Sequence, residues 1–116
     1  VLKAAEDSPY NVLHICKDRL NLERYRNYPC AVVNWGVYEQ NPSLLEGAAI
    51  FPDKAILGGL DDRSGVLVDG TKEQIQNEVN QILRMMDGRR FLLGADCTLP
   101  TEIAYDRIHA AVEAVE

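Results

Sequence analysis

The apolar segments Lys54-Ala55-Ile56-Leu57-Gly58 and Phe91-Leu92-Leu93-Gly94-Ala95 flank one amphipathic helix. Thr71 begins this helix with Gln74 three residues later, the spacing of a capping box, and Gly88 lies past its end. The helix carries an apolar stripe, which consists of Ile75, Val79, Ile82, Leu83 and Met86. Continuous apolar strands separated by a helix are typical of a parallel sheet, so this stretch predicts a βαβ unit.

Similar signals occur on both sides of this unit. Apolar runs over residues 11–16 and 31–35 predict two earlier strands, and apolar residues at helical spacing predict helices over 18–26, 42–51 and 103–115. The chain is therefore predicted to be one α/β domain of four parallel βα units. A small open doubly wound sheet and half of an eight-unit barrel both fit this pattern.

Composition limits the classes of function. With 116 residues, 47% of them hydrophobic, the chain can form one core. A net charge of −6 without a basic run argues against nucleic-acid and anionic-membrane partners, because both require concentrated positive charge. Three unevenly spaced cysteines do not form a secreted disulfide framework, and no apolar stretch has the length of a membrane span. These features predict a reducing, cytoplasmic location.

Three soft metal ligands stand at the ends of predicted strands. His14 and Cys16 are two residues apart, so they face the same side of a strand, and Cys97 follows the last strand. One imidazole and two thiolates are the ligand set of a catalytic zinc site that keeps its fourth position open. The same pattern also fits two small buried cysteines and a core histidine, so spacing alone leaves both interpretations open.

Other reactive groups also fall at the carboxyl ends of the predicted strands, the face on which barrel enzymes build their active sites. Asp61 and Asp96 are candidate catalytic carboxylates. The candidate substrate contacts are Asn34, Trp35, Gly59 and Arg63.

Five motifs, in this order, resemble the uroporphyrinogen decarboxylase superfamily from about Asn11 to the end of the chain. They are Leu13-His14-Ile15-Cys16-Lys17-Asp18, Val33-Asn34-Trp35, Leu57-Gly58-Gly59-Leu60-Asp61, Gly70-Thr71-Lys72-Glu73-Gln74-Ile75 and Gly94-Ala95-Asp96-Cys97-Thr98-Leu99-Pro100. The first is similar to the family's His-x-Cys-Gly element and the last to the Cys-x-hydrophobic-Pro motif of its methyltransferases. The resemblance implies that residues 1–116 are the carboxyl-terminal half of a (β/α)8 barrel, with the amino-terminal half absent.

The resemblance is closest to the zinc-dependent, cobalamin-linked methyltransferase branch. In that branch the matching residues, His14, Cys16 and Cys97, are zinc ligands. The implied reaction transfers a methyl group from a methylated corrinoid on a partner protein to a small thiol such as coenzyme M. Zinc would stabilise the thiolate of the acceptor in a dry site.

Two positions depart from the family pattern. Asn34 stands where the family usually has a carboxylate, and an amide can orient a neighbour but cannot act as a base. Lys17 stands where a Gly usually follows the first Cys, and its ammonium would either lower thiolate pKa values or lie solvated in a loop. We expect the position of Asn34 to be a loop position with little packing.

Two alternative functions stay open. One is metal-free decarboxylation of a tetrapyrrole, as in uroporphyrinogen decarboxylase itself, and the other is a non-catalytic fragment. We expect the isolated segment to be inactive and to self-associate, because half a barrel leaves two strand edges and one sheet face uncovered. We also expect His14 and Cys97 to converge only in a closed barrel, since their strands are not neighbours.

Overall fold

The protein forms one parallel four-stranded sheet. The computed structural model describes residues 2–5, 7–38 and 40–116. The strands are β1 (Val12–Ile15), β2 (Val32–Trp35), β3 (Ala55–Leu60) and β4 (Phe91–Ala95). They pair in parallel in the order β1-β2-β3-β4. The predicted α/β fold of parallel βα units is confirmed.

Helices connect the strands. They are α1 (Leu44–Ile50), α2 (Val66–Asp69), α3 (Lys72–Met85) and α4 (Tyr105–Val115), with single 3₁₀ turns at Leu2–Ala5 and Leu22–Tyr25. The capping box predicted at Thr71 is present, because the backbone N–H of Gln74 donates to the Thr71 hydroxyl and the Gln74 side chain accepts from the Thr71 N–H. Ser43 and Glu46 form a second capping box at the start of α1.

The helix predicted over 18–26 is wrong apart from the one 3₁₀ turn at Leu22–Tyr25. Arg19 has a φ of +50° and Lys17 a φ of +100°, and such left-handed backbone cannot continue a right-handed helix. The short helix α2 was not predicted, because it lies within a loop rich in Gly and Asp.

The two faces of the sheet differ in exposure. Ile15, Val33 and Ile56 are buried in the core that also contains the apolar stripe of α3. The side chains that alternate with them point the other way, and Val12 and Leu92 there are 53% and 51% exposed. A doubly wound sheet would cover both faces with helices. Coverage of one face favours the half-barrel architecture.

Within the described ranges, no helix combines the length and the apolar character that crossing a membrane requires.

Candidate metal centre

The three predicted metal ligands lie together at the carboxyl end of the sheet. One donor atom from each of His14, Cys16 and Cys97 lies within 4.8 Å of the others. The Sγ atom of Cys97 is 3.4 Å from Nε2 of His14, although 83 residues separate them along the chain. The expectation that these groups converge only in a closed barrel is wrong, because the four-stranded sheet already brings them into contact.

Curvature of the sheet explains this convergence. Three interstrand spacings of about 4.8 Å would place β1 and β4 about 14 Å apart in a flat sheet, too far for His14 to reach Cys97. Gly58 and Gly59, at the end of β3, adopt φ values of +143° and +108°. Residues with a Cβ rarely adopt such backbone, and paired glycines of this kind let a strand bend sharply. β3 therefore departs from regular extended backbone where it approaches the three ligands.

Asn34 joins His14 to the centre of the sheet. The two residues are cross-strand partners in the β1–β2 register, and Nδ1 of His14 is 2.5 Å from Oδ1 of Asn34. The Asn34 amide group donates to the carbonyl of Leu57 at 2.9 Å and to that of Ala95 at 3.3 Å. Asn34 is 7% exposed and lies inside β2, so the expectation of a loop position with little packing is wrong.

Asp96 connects the ends of β2 and β3 through hydrogen bonds. Its carboxylate accepts from the backbone N–H of Gly59 at 2.8 Å and from that of Val37 at 3.0 Å, and the residue is 1% exposed. Burial raises the pKa of Asp96 to about 7, because desolvation of the carboxylate outweighs these two hydrogen bonds. A Cβ at Gly58 would lie 3.0 Å from Oδ1 of Asp96 and 3.3 Å from Nδ2 of Asn34. Gly58 therefore allows the two polar side chains to approach the strand.

An open cleft of about 540 Å³ adjoins Cys16. Its described lining residues are Cys16, Lys17, Asp18, Tyr38, Gln40 and Arg63. Lys17 and Arg63 are exposed cations at its rim, so an anionic group could bind beside the Cys16 thiol. The φ of +100° at Lys17 is one that glycine adopts easily and that residues with a Cβ rarely adopt.

The other predicted site residues have partners within the chain. The carboxylate of Asp61 accepts from the backbone N–H groups of Arg63 and Ser64 and from the Ser64 hydroxyl, which closes the loop after β3. The backbone N–H of Gly59 donates to Asp96, and its carbonyl accepts from the Tyr38 hydroxyl.

Trp35 lies away from the metal ligands. It is 1% exposed, its indole Nε1 donates to the carbonyl of Pro42, and its ring packs beside Phe51. A Cβ at Gly47 of α1 would lie 2.0 Å from the ring, so only glycine fits there. Trp35 alternates with Asn34 along β2 and faces the helices, and it therefore has a packing role in this structure instead of the predicted contact with a ligand.

Two residues near the site were not assigned from the sequence. The Tyr38 hydroxyl contacts the Gly59 carbonyl and the Glu78 carboxylate, each at 3.0 Å, and burial followed by the charge of Glu78 raises its pKa. Asp62 is buried, and its Oδ2 has no hydrogen-bond partner among the described residues; Nε of Arg63 lies 3.6 Å away. Tyr38 could have been found from the sequence, because it lies just past the carboxyl end of β2. Asp62 follows Asp61 and carries no signal of its own.

Comparison with known families agrees with this architecture. The family model described as uroporphyrinogen decarboxylase (URO-D) matches residues 1–116, which is the whole chain. The chain belongs to the uroporphyrinogen decarboxylase family. A comparison with curated proteins finds no match. Membership in this family indicates an enzyme of the superfamily, and the structure adds a cluster of three soft ligands at the face where a barrel carries its chemistry.

Proposed function

We propose that this uroporphyrinogen decarboxylase family chain carries the zinc centre of a methyltransferase that uses a methylated corrinoid and a thiol acceptor. The observation that carries the proposal is the grouping of His14, Cys16 and Cys97, whose donor atoms lie within 4.8 Å of one another. A core built from two cysteines and a histidine would bury them, whereas His14 and Cys16 are exposed and Cys97 is half-buried. Their accessibility supports the metal-ligand interpretation.

The geometry of the donor set fits zinc. In a tetrahedral site with bonds of about 2.3 Å to sulfur and 2.0 Å to nitrogen, a sulfur and a nitrogen ligand lie about 3.5 Å apart. The observed separation of Cys97 Sγ and His14 Nε2 is 3.4 Å. Two thiolates and one neutral imidazole also leave a fourth position for a substrate.

In this proposal, the residues around the zinc centre have different roles. When bound, zinc would supply Lewis-acid stabilisation of the acceptor's thiolate. His14, Cys16 and Cys97 would hold the metal, and the cleft beside Cys16 would receive the acceptor with Lys17 and Arg63 available for an anionic substituent. Asp96 would keep the ends of β2 and β3 in place through its two backbone hydrogen bonds. Its carboxyl group, with a pKa of about 7, is also a candidate for proton transfer, as is Asp61.

A second candidate is the decarboxylation of a tetrapyrrole without a metal. It is favoured by the description of the matching family, uroporphyrinogen decarboxylase, and by the two cations at the cleft, which suit a substrate with several carboxylates. This reaction does not need the soft ligands.

Measurement of bound metal tests the leading proposal. We expect about one zinc per chain in the purified protein and its loss in Cys16→Ser and Cys97→Ser, because each change removes a thiolate ligand. Cys30→Ser is the matched control, because Cys30 is a free, half-buried cysteine outside the cluster, and it should retain zinc. Equal zinc content in all four proteins would contradict the assignment of the ligands.

Activity assays on the natural full-length protein separate the two candidates. The methyltransferase proposal predicts methylation of a thiol with methylcobalamin as donor, and loss of this activity in Cys97→Ser. Carbon dioxide release from uroporphyrinogen by a metal-free protein, unaffected by Cys97→Ser, would instead favour the decarboxylase.

A further inference from the structure

The orientation of the Asn34 amide is determined by the backbone of the sheet. Its Nδ2 donates to the carbonyl of Leu57 on β3 at 2.9 Å and to that of Ala95 on β4 at 3.3 Å. Both amide hydrogens are therefore used, and a flipped amide would direct its oxygen at two carbonyl oxygens. Oδ1 is left facing Nδ1 of His14.

This arrangement determines which nitrogen of His14 carries the proton. Oδ1 of Asn34 can only accept, so Nδ1 of His14 must donate. In a neutral imidazole the other nitrogen then has a free lone pair. That nitrogen, Nε2, is the one 3.4 Å from Cys97 Sγ.

We propose that Asn34 is a positioning residue that holds His14 as the Nδ1–H tautomer and thereby reserves Nε2 as the metal ligand. The metal part of this inference rests on the proposed zinc centre, whereas the tautomer exists without metal. Hydrogen bonds of this kind to the far nitrogen of a ligating histidine orient the ring and fix its tautomer in metal sites.

The same contacts explain why an amide suits this position. A carboxylate in place of Asn34 would still accept from His14, but it would offer no hydrogen to Leu57 and Ala95. The two half-buried carbonyls would then lose a partner and face a negative charge. The amide also leaves a site of two thiolates and one imidazole electrically neutral with zinc.

Nuclear magnetic resonance of the metal-free protein tests the tautomer directly. Two-bond proton–nitrogen correlations of the imidazoles, recorded at about pH 8.5 where free imidazole is neutral, distinguish the Nδ1–H form from the Nε2–H form. The chain has two histidines, and His109, exposed on α4, is an internal reference. We expect His14 to be the Nδ1–H form, whereas His109, for which no comparable contact to Nδ1 exists among the described residues, should show both tautomers.

Three variants separate positioning from general stability. Asn34→Ala should abolish the tautomer preference of His14 and weaken zinc binding about 10- to 100-fold in chelator competition. Asn34→Asp should retain the tautomer, because an acceptor still faces Nδ1, while it unfolds at lower urea concentration. Asn11→Ala is the matched control, since the Asn11 amide makes similar bonds to the backbone of Pro29 and Ala31 at the opposite end of the strands. It should change neither the tautomer nor zinc affinity.

The outcomes distinguish this inference from the proposed function. An Nε2–H form of His14 in the wild-type protein would overturn the inference, and so would a tautomer unchanged by Asn34→Ala. If the wild-type protein shows the Nδ1–H form but binds no zinc, the positioning role stands and the zinc proposal fails.

Discussion

The strongest structural prediction concerns Asp96, the buried carboxylate that joins the ends of β2 and β3. It accepts from two backbone N–H groups, those of Gly59 and Val37, at 2.8 and 3.0 Å. The Asp96→Ala variant would leave both donors without a partner. Because Gly59 is buried and Val37 is half-buried, water can replace the carboxylate at Val37 more easily than at Gly59.

The expected loss follows from these two contacts. An unsatisfied buried donor costs about 1–3 kcal/mol, and relief from burying a charge offsets part of the total. We therefore expect Asp96→Ala to lower the free energy of unfolding by about 2–4 kcal/mol. Asp96→Asn keeps one acceptor and directs an amide N–H at the other donor, so its loss should be smaller, about 1–2 kcal/mol.

Urea unfolding of the metal-free protein, followed by circular dichroism, measures these differences. The comparison requires that the slope of the free energy of unfolding against urea concentration is the same for all the proteins. Asp61→Ala is the control, because Asp61 bonds to the N–H groups of an exposed loop, and its loss should be below about 1 kcal/mol. If the free energy of unfolding of Asp96→Ala is within about 0.5 kcal/mol of the wild-type value, Asp96 does not stabilise the ends of β2 and β3, since surface changes alone produce effects of that size.

Three further predictions concern strain, pH and association. Lys17→Gly should raise the free energy of unfolding by about 1 kcal/mol because glycine relieves the φ of +100°, and a lower urea midpoint would argue against strain there. Between about pH 4 and pH 7 the folded protein holds a proton on Asp96 that the unfolded chain releases. The free energy of unfolding should therefore fall as the pH rises through this window and level off above it. If the urea midpoints of Asp96→Asn show the same dependence on pH, Asp96 is not the cause. The 116-residue chain should self-associate through its uncovered sheet face and open strand edges. Leu92→Lys should weaken the association, because Leu92 is 51% exposed on that face. Light scattering that shows a strictly monomeric wild-type protein at high concentration would contradict this prediction.

Local patterns were sufficient for the four strands, for helices α1, α3 and α4, and for one face of the site. Apolar runs located the four strands, and the spacing of Thr71 and Gln74 located the start of α3. Alternation along β1 correctly placed His14 and Cys16 on one side, because side-chain direction in a strand depends only on sequence separation.

The remaining features depend on tertiary geometry. Cys97 lies 3.4 Å from His14 because the sheet curves, and neither this curvature nor the φ values of Gly58 and Gly59 can be read from the sequence. The bonds of Asn34 and Asp96 go to backbone groups of other strands, which have no residue signature. Alternation places Trp35 and Asn34 on opposite sides of β2, but only the packing of Trp35 against Phe51 and Gly47 shows that its side is the one covered by helices.

Zinc K-edge X-ray absorption of the zinc-loaded protein tests the central claim, that His14, Cys16 and Cys97 bind one metal ion together. We expect two sulfur neighbours at about 2.3 Å and one imidazole nitrogen at about 2.0–2.1 Å, with the fourth position taken by a light atom. In Cys97→Ser one sulfur neighbour should disappear, whereas Cys30→Ser should leave the spectrum unchanged. A spectrum with only nitrogen and oxygen neighbours, or one that Cys97→Ser does not alter, would contradict the account.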